Sequence, residues 1–198
     1  MQDDEKTMIP KPCISQCPED LVKTVSKYVE CTTGKNLDEI LSKRGLRIIC
    51  NNKNRDYYDA YVISSHLISD FEMVLEKTER KRSLCSAPVF WGVHVARKSK
   101  KKVVPMLGLL DIIGEEKIAE NYVRVNSLGE KLFLYGRDVF YENIVESKLR
   151  LENKCPDNTI IVVNEKNVPI GWGVVKNIKK RAIVINLLDL GWYLRSGV

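Results

Sequence analysis

Apolar residues along this chain change period several times, and each change predicts an element. Leu21, Val22, Val25, Tyr28 and Val29 recur at helical spacing. Pro18, Glu19 and Asp20 start that helix, with two acids against the positive end of its dipole. A shorter helix is predicted over 37–43, closed by Gly45. The runs LRIIC (46–50) and DYYDAYVI (56–63), split by the polar NNKNR, read as strand, turn, strand. Ser64 or Ser65 then caps a third predicted helix through Phe71, Val74 and Leu75 to Lys77. Val89, Trp91, Val93 and Val95 alternate at period two, and RKSKKK (97–102) separates that strand from a second apolar run, 103–113, so the pair reads as a hairpin. Residues 1–17, polar with Pro10 and Pro12, read as a mobile arm before the first domain.

GEEKIAEN (114–121) interrupts the pattern as a short helix or linker, placing a domain boundary near Glu120. Beyond it the punctuation tightens. Strands are predicted over 122–125, 131–134, 159–163, 170–175 and 182–188, with one helix at 138–145. This organisation is an arm (1–18), an α/β domain (19–120) and a small β domain (121–198). Gly171 and Gly173 flank Trp172 inside a strand, which marks a bend or a close backbone approach. Trp172 is either core, the commoner place for an aromatic in a small barrel, or a base-stacking platform.

Charge sharpens the picture. The chain has 198 residues and a net charge of +6 from 32 basic and 26 acidic side chains. Residues 121–198 hold 12 basic and 8 acidic residues, against 20 and 18 before them, so most of the surplus sits in the smaller part. That balance suits an anionic partner. No apolar run approaches the ~20 residues of a membrane span, and the acidic, polar start does not read as a secretory signal. Six cysteines (Cys13, Cys17, Cys31, Cys50, Cys85, Cys155) lack the paired spacing of a zinc site, and His66 and His94 stand alone. Reduced buried thiols are expected, with disulfides the exception a hyperthermophile would make. No metal and no cofactor are expected.

Candidate chemistry concentrates in three places. Lys176, Lys179, Lys180 and Arg181 lie between two predicted strands with no acid from 167 to 188, so they form either a phosphate-binding rim or a solubilising loop. Arg97, Lys98, Lys100, Lys101 and Lys102 form either a solvated turn or an auxiliary RNA contact. Gly136 and Arg137 precede Asp138, a candidate cap whose helix amides could receive a phosphate, unless the glycine is plain turn chemistry. Neither a P-loop, a dinucleotide-binding glycine motif, HExxH nor GxSxG is present, so an enzyme is not expected.

FLYGRDVF, the NEKNVPIGWG stretch and DLGWYLRSG resemble a PUA domain, the RNA-binding module named for pseudouridine synthase and archaeosine transglycosylase. With the upstream order of elements, the chain resembles two-domain ribosome-biogenesis factors, in which an α/β pre-PUA domain precedes a C-terminal PUA domain. That resemblance implies an α+β fold: an antiparallel sheet flanked by helices, then a PUA-type mixed β pseudo-barrel. It implies a monomer that binds precursor ribosomal RNA and uridine-rich single strands through Lys176, Lys179, Lys180 and Arg181. Assembly proteins would dock on the N-terminal domain, and no membrane is involved. The location would be the cytoplasm in an archaeon, or the nucleolus in a eukaryote. The rival reading is the RNA-binding subunit of a tRNA-modifying enzyme, such as a split tRNA-guanine transglycosylase.

Overall fold

A computed structural model describes residues 13–15, 17–54, 57–70, 73, 92–150, 154–178 and 181–196. In chain order the elements are β1 (Cys13–Ser15), α1 (Glu19–Thr33), α2 (Leu37–Lys43), β2 (Leu46–Asn54), β3 (Tyr57–Ser64), β4 (Val93–Ser99), β5 (Lys102–Pro105) and α3 (Leu107–Gly114). Then follow β6 (Tyr122–Val125), α4 (Ser127–Leu134), β7 (Val139–Phe140), β8 (Ile144–Lys148), β9 (Thr159–Val163), β10 (Pro169–Ile178), β11 (Arg181–Asp189) and α5 (Trp192–Ser196). No helix among the described residues is long and apolar enough to cross a membrane.

The first five strands form an antiparallel sheet in the order β1-β2-β3-β4-β5. The remaining six form a curled half-barrel in the order β7-β11-β10-β9-β6-β8, mixed because β6 runs parallel to β9. The α+β architecture expected from the sequence is therefore present. Its two sheets share one core. Leu21, Val25 and Val29 of α1, Leu109 and Ile113 of α3, and Ala60 and Val62 of β3 pack with Ile161, Val163 and Trp172 of the half-barrel. The alternate half-barrel residues Val123, Val125, Ile160, Val162, Ile170 and Val184 face inward around Phe133. Both faces of β9 are thus covered, which is why TIIVV is apolar without alternation and buried at all five positions.

Trp172 is fully buried, 5.7 Å from the Tyr28 ring, and its indole N–H donates to Met106 O across the seam between the sheets. It is core, as the commoner reading held. A Cβ on Gly171 would lie 2.3 Å from Leu188 O and 2.7 Å from Phe133, so the glycine permits β11 and α4 to close onto β10. Two disulfides tie the structure: Cys17 to Cys50, and Cys31 on α1 to Cys155 just before β9. The expectation of reduced thiols is corrected for these four residues. Their separations in sequence, 33 and 124, gave no pairing signal; the fold supplies it.

Four local predictions are also corrected. Cys13–Ser15, expected within the arm, pairs with β2. The apolar run 103–113 is not one strand: β5 ends at Pro105 and the rest is α3. Residues 131–134 belong to helix α4, capped by the Asn126 side chain, which accepts from Gly129 N. The predicted helix at 138–145 is β7, a 3-10 turn and the start of β8, because β11 and β6 offer those residues a backbone ladder. The predicted third helix falls mostly outside the described residues, as do residues 1–12 of the arm; Ser65–Leu67 is a 3-10 turn.

Candidate nucleic-acid interface

Strand pairing assembles an outward row across the half-barrel. Phe140 of β7 pairs with Ile183 of β11, and Ile183 pairs with Lys176 of β10, so the three positions share one face. The adjacent row, Val139, Val184 and Val175, points the other way, and Val139 and Val184 are fully buried. Phe140 is half-exposed and Lys176 exposed, with no ion pair among the described residues. Arg181 lies opposite Ile178 at the end of the same hairpin. Lys179 and Lys180, which connect the two strands, lie outside the described residues.

A second part of this surface comes from the end of α4. Gly136, at φ 76°, turns the chain out of the helix: its N–H donates to Phe133 O, and Arg137 N donates to Leu132 O. This pair of hydrogen bonds from the residues after the cap is the Schellman arrangement. Gly136 is therefore turn chemistry at a helix C-terminus, the second of the two readings the sequence left open, and β7 with a 3-10 turn stands where a helix N-terminus would have received a phosphate. Asp138 instead accepts a hydrogen bond from Asn186 N, fastening the turn to β11. The turn leaves Tyr135 and Arg137 on the surface, Tyr135 at 72% exposure.

Helix α5 closes the surface. The Arg195 guanidinium pairs with buried Asp189 at 2.7 Å and donates to Leu134 O, and it sits about where a Cβ of Gly136 would project. The Asp189 bond raises the Arg195 pKa, so its charge is committed to this clamp. Trp192 and Tyr193, in edge-to-face contact at 5.2 Å, are left exposed beside the turn. The exposed aromatics of this part of the chain are Tyr135, Phe140, Tyr141, Trp192 and Tyr193, and Arg137 and Lys176 are exposed with them. Sequence reasoning missed the aromatics because 131–134 read as a strand and 138–145 as a helix, which assigned these residues no common face. The interleaving of aromatic and basic residues around a glycine was the available signal.

The other predicted cations fare differently. Arg97 donates to buried Asp59 at 2.7 Å and lies 5.4 Å over the Tyr57 ring. Burial lowers the Arg97 pKa, but the bond to Asp59 and its charge outweigh that and raise it overall. Lys98, mostly buried, is bound by both Asp20 oxygens at 2.7 and 2.6 Å. These two cations are structural. Lys100, Lys101 and Lys102 remain exposed at the β4–β5 hairpin, with Ser99 paired to Lys102. Among the described residues no group of His, Cys, Asp and Glu is arranged to hold a metal.

Residues 121–198 match the family described as the UPF0113 PUA domain. Over 75 residues the chain is 41% identical to a UPF0113 protein of Aeropyrum pernix, a match covering 38% of each. The chain therefore aligns with little more than a third of that curated relative's length. Two solved structures are similar across most of the chain. A conserved PUA domain protein from Thermoplasma acidophilum superposes with a TM-score of 0.50 at 14% identity, covering 88% of this chain and 93% of its own. A hypothetical protein from the hyperthermophilic archaeon Pyrococcus horikoshii superposes with a TM-score of 0.53 at 16% identity, covering 92% and 98%. The half-barrel of residues 121–198 is accordingly a PUA-type fold that matches the UPF0113 PUA domain.

Proposed function

We propose that this protein is a non-catalytic RNA-binding factor in ribosome assembly, acting on large-subunit precursor RNA through its C-terminal half-barrel. The observation that carries the RNA reading is the outward row Phe140, Ile183 and Lys176 beside the Tyr135–Arg137 turn and α5. Exposed aromatics stack on bases at about 1–3 kcal/mol each without demanding a sequence, while adjacent cations meet phosphates. The match of residues 121–198 to a PUA domain supports the same reading. In it the N-terminal sheet and its helices serve assembly proteins.

The test is fluorescence anisotropy with a uridine-rich single strand, a duplex and a tRNA. The single strand should bind best. With four phosphates contacted, the log–log salt slope is about −2.8, a roughly fifty-fold loss between 50 and 200 mM salt. Replacing Lys176, Lys179 and Lys180 together by Ala should flatten that slope while the melting temperature holds. Unchanged affinity would remove this surface from consideration. A marked preference for tRNA would favour a subunit of a tRNA-modifying enzyme.

A further inference from the structure

A cleft of about 300 Å³ lies at the seam between the two sheets, on the far side of β10 from the aromatic and basic face. The turn after α3 forms one wall, and β6, β9 and residue 167 form the other. Ile118 and Val163 give it an apolar side. Its polar lining consists almost entirely of donors.

Arg124 is held in place before any ligand arrives. Its Nη1 lies 2.5 Å from Glu146 Oε2, its Nε donates to Asn167 Oδ1 at 2.9 Å, and its guanidinium lies 5.8 Å over the Tyr122 ring. These bonds leave part of its five-donor fork unused. Because the Asn167 oxygen is engaged, the amide nitrogen is what that side chain still offers. Lys117 is exposed and makes no ion pair among the described residues.

The acceptors nearby are spent. Glu116, the one acid in the lining, binds Lys35 and Arg44, whose hydrogen bonds hold its carboxyl below the usual range. Both Glu146 oxygens are occupied, one by Tyr122 Oη at 2.9 Å and one by Arg124. The charged residues of the lining itself are two cations, Lys117 and Arg124, and one acid, Glu116. A pocket with donors, surplus positive charge and an apolar side selects an anion with an apolar body.

We propose that this cleft binds a phosphate monoester of mononucleotide size, with Lys117, Arg124 and Asn167 on the phosphate and Ile118 and Val163 against the body. Its volume is at the lower end of the ~300–1,000 Å³ typical of small-ligand sites, which suits one such molecule. The same chemistry is carried by a free nucleotide and by the phosphorylated 5′ end of an RNA.

Calorimetric titration of the full chain distinguishes these. UMP should bind at least tenfold more tightly than uridine. Lys117→Glu should weaken UMP at least tenfold, and so should Asn167→Gly, which keeps the left-handed backbone at φ 62° free of strain. Lys176→Glu should leave UMP affinity unchanged, so failure of the RNA face and failure of the cleft read out separately. A 5′-phosphorylated oligouridine that beats its 5′-hydroxyl counterpart identifies an RNA end; equal binding of the two identifies a free nucleotide. UMP binding no tighter than uridine, or unaffected by Lys117→Glu, overturns the proposal.

Discussion

Residues 97–102 (RKSKKK) and 176–181 (KNIKKR) are similar in composition, and each belongs to a β-hairpin. In the first, the fold brings up acids from far along the chain. Asp59 lies 38 residues from Arg97, and Asp20 lies 78 residues from Lys98. Two of its five cations become parts of the scaffold. In the second, Lys176 faces solvent in a row with Phe140, and the neighbouring turn adds Arg137. A charge run therefore says little about function until its neutralising partners are known. What separates the two is what lies opposite: Asp59 on the neighbouring strand β3 and Asp20 on α1 meet the β4 cations, whereas the row that holds Lys176 carries Ile183 and Phe140.

The largest test removes the seam where the two sheets share a core. Trp172→Ala should cost about 3–5 kcal/mol, because it empties a fully buried site in the core that the two sheets share. Calorimetry should still show one transition; two would mean that the halves fold independently and that the cation comparison is one between separate domains. Next in size is Asp59→Ala. It leaves Arg97 and His94 without their carboxylate and should cost about 2 kcal/mol, below the range for a fully buried pair because Arg97 is 39% exposed. RNA affinity should not change; a fall would make the first run part of the binding surface.

A smaller effect separates the runs directly. Lys176→Glu should lower single-strand RNA affinity about tenfold, roughly 1.4 kcal/mol, whereas Lys101→Glu should change it less than twofold. Equal losses would show that both hairpins contact RNA. The smallest effect is acid sensitivity. The Lys98 hydrogen bond lowers the Asp20 pKa below 3.8, and the Lys35 and Arg44 bonds lower that of Glu116 below 4.5. Depressed folded values mean stability that is present at neutral pH and lost as pH falls below about 4. The urea midpoint should therefore drop between pH 6 and 3, and Asp20→Asn with Glu116→Gln should flatten that drop.

Much of the fold was legible where one period ran long enough. The spacing from Leu21 to Val29 identified α1, and the run 56–63 beyond the polar NNKNR identified β3. Legibility failed where a short apolar run fitted either period. LFL (132–134) suited a strand until Asn126 was recognised as a cap six residues upstream. VFYENIV (139–145) suited a helix, but its Phe and Tyr face solvent and its backbone pairs with β11 and β6. The same misreading hid the aromatic half of the candidate interface.

The sequence alone determined that two sheets would form, that their strands would lie near 46–63 and 159–188, and that positive charge would gather toward the C-terminus. Those properties depend on neighbours a few residues apart, where side-chain period and turn chemistry act. Tertiary structure decided which cysteines pair, which cations are neutralised and which donors meet at the seam cleft. Each of these depends on distance in space between residues far apart in the chain, as the 124-residue gap between Cys31 and Cys155 illustrates, and no local pattern encodes it.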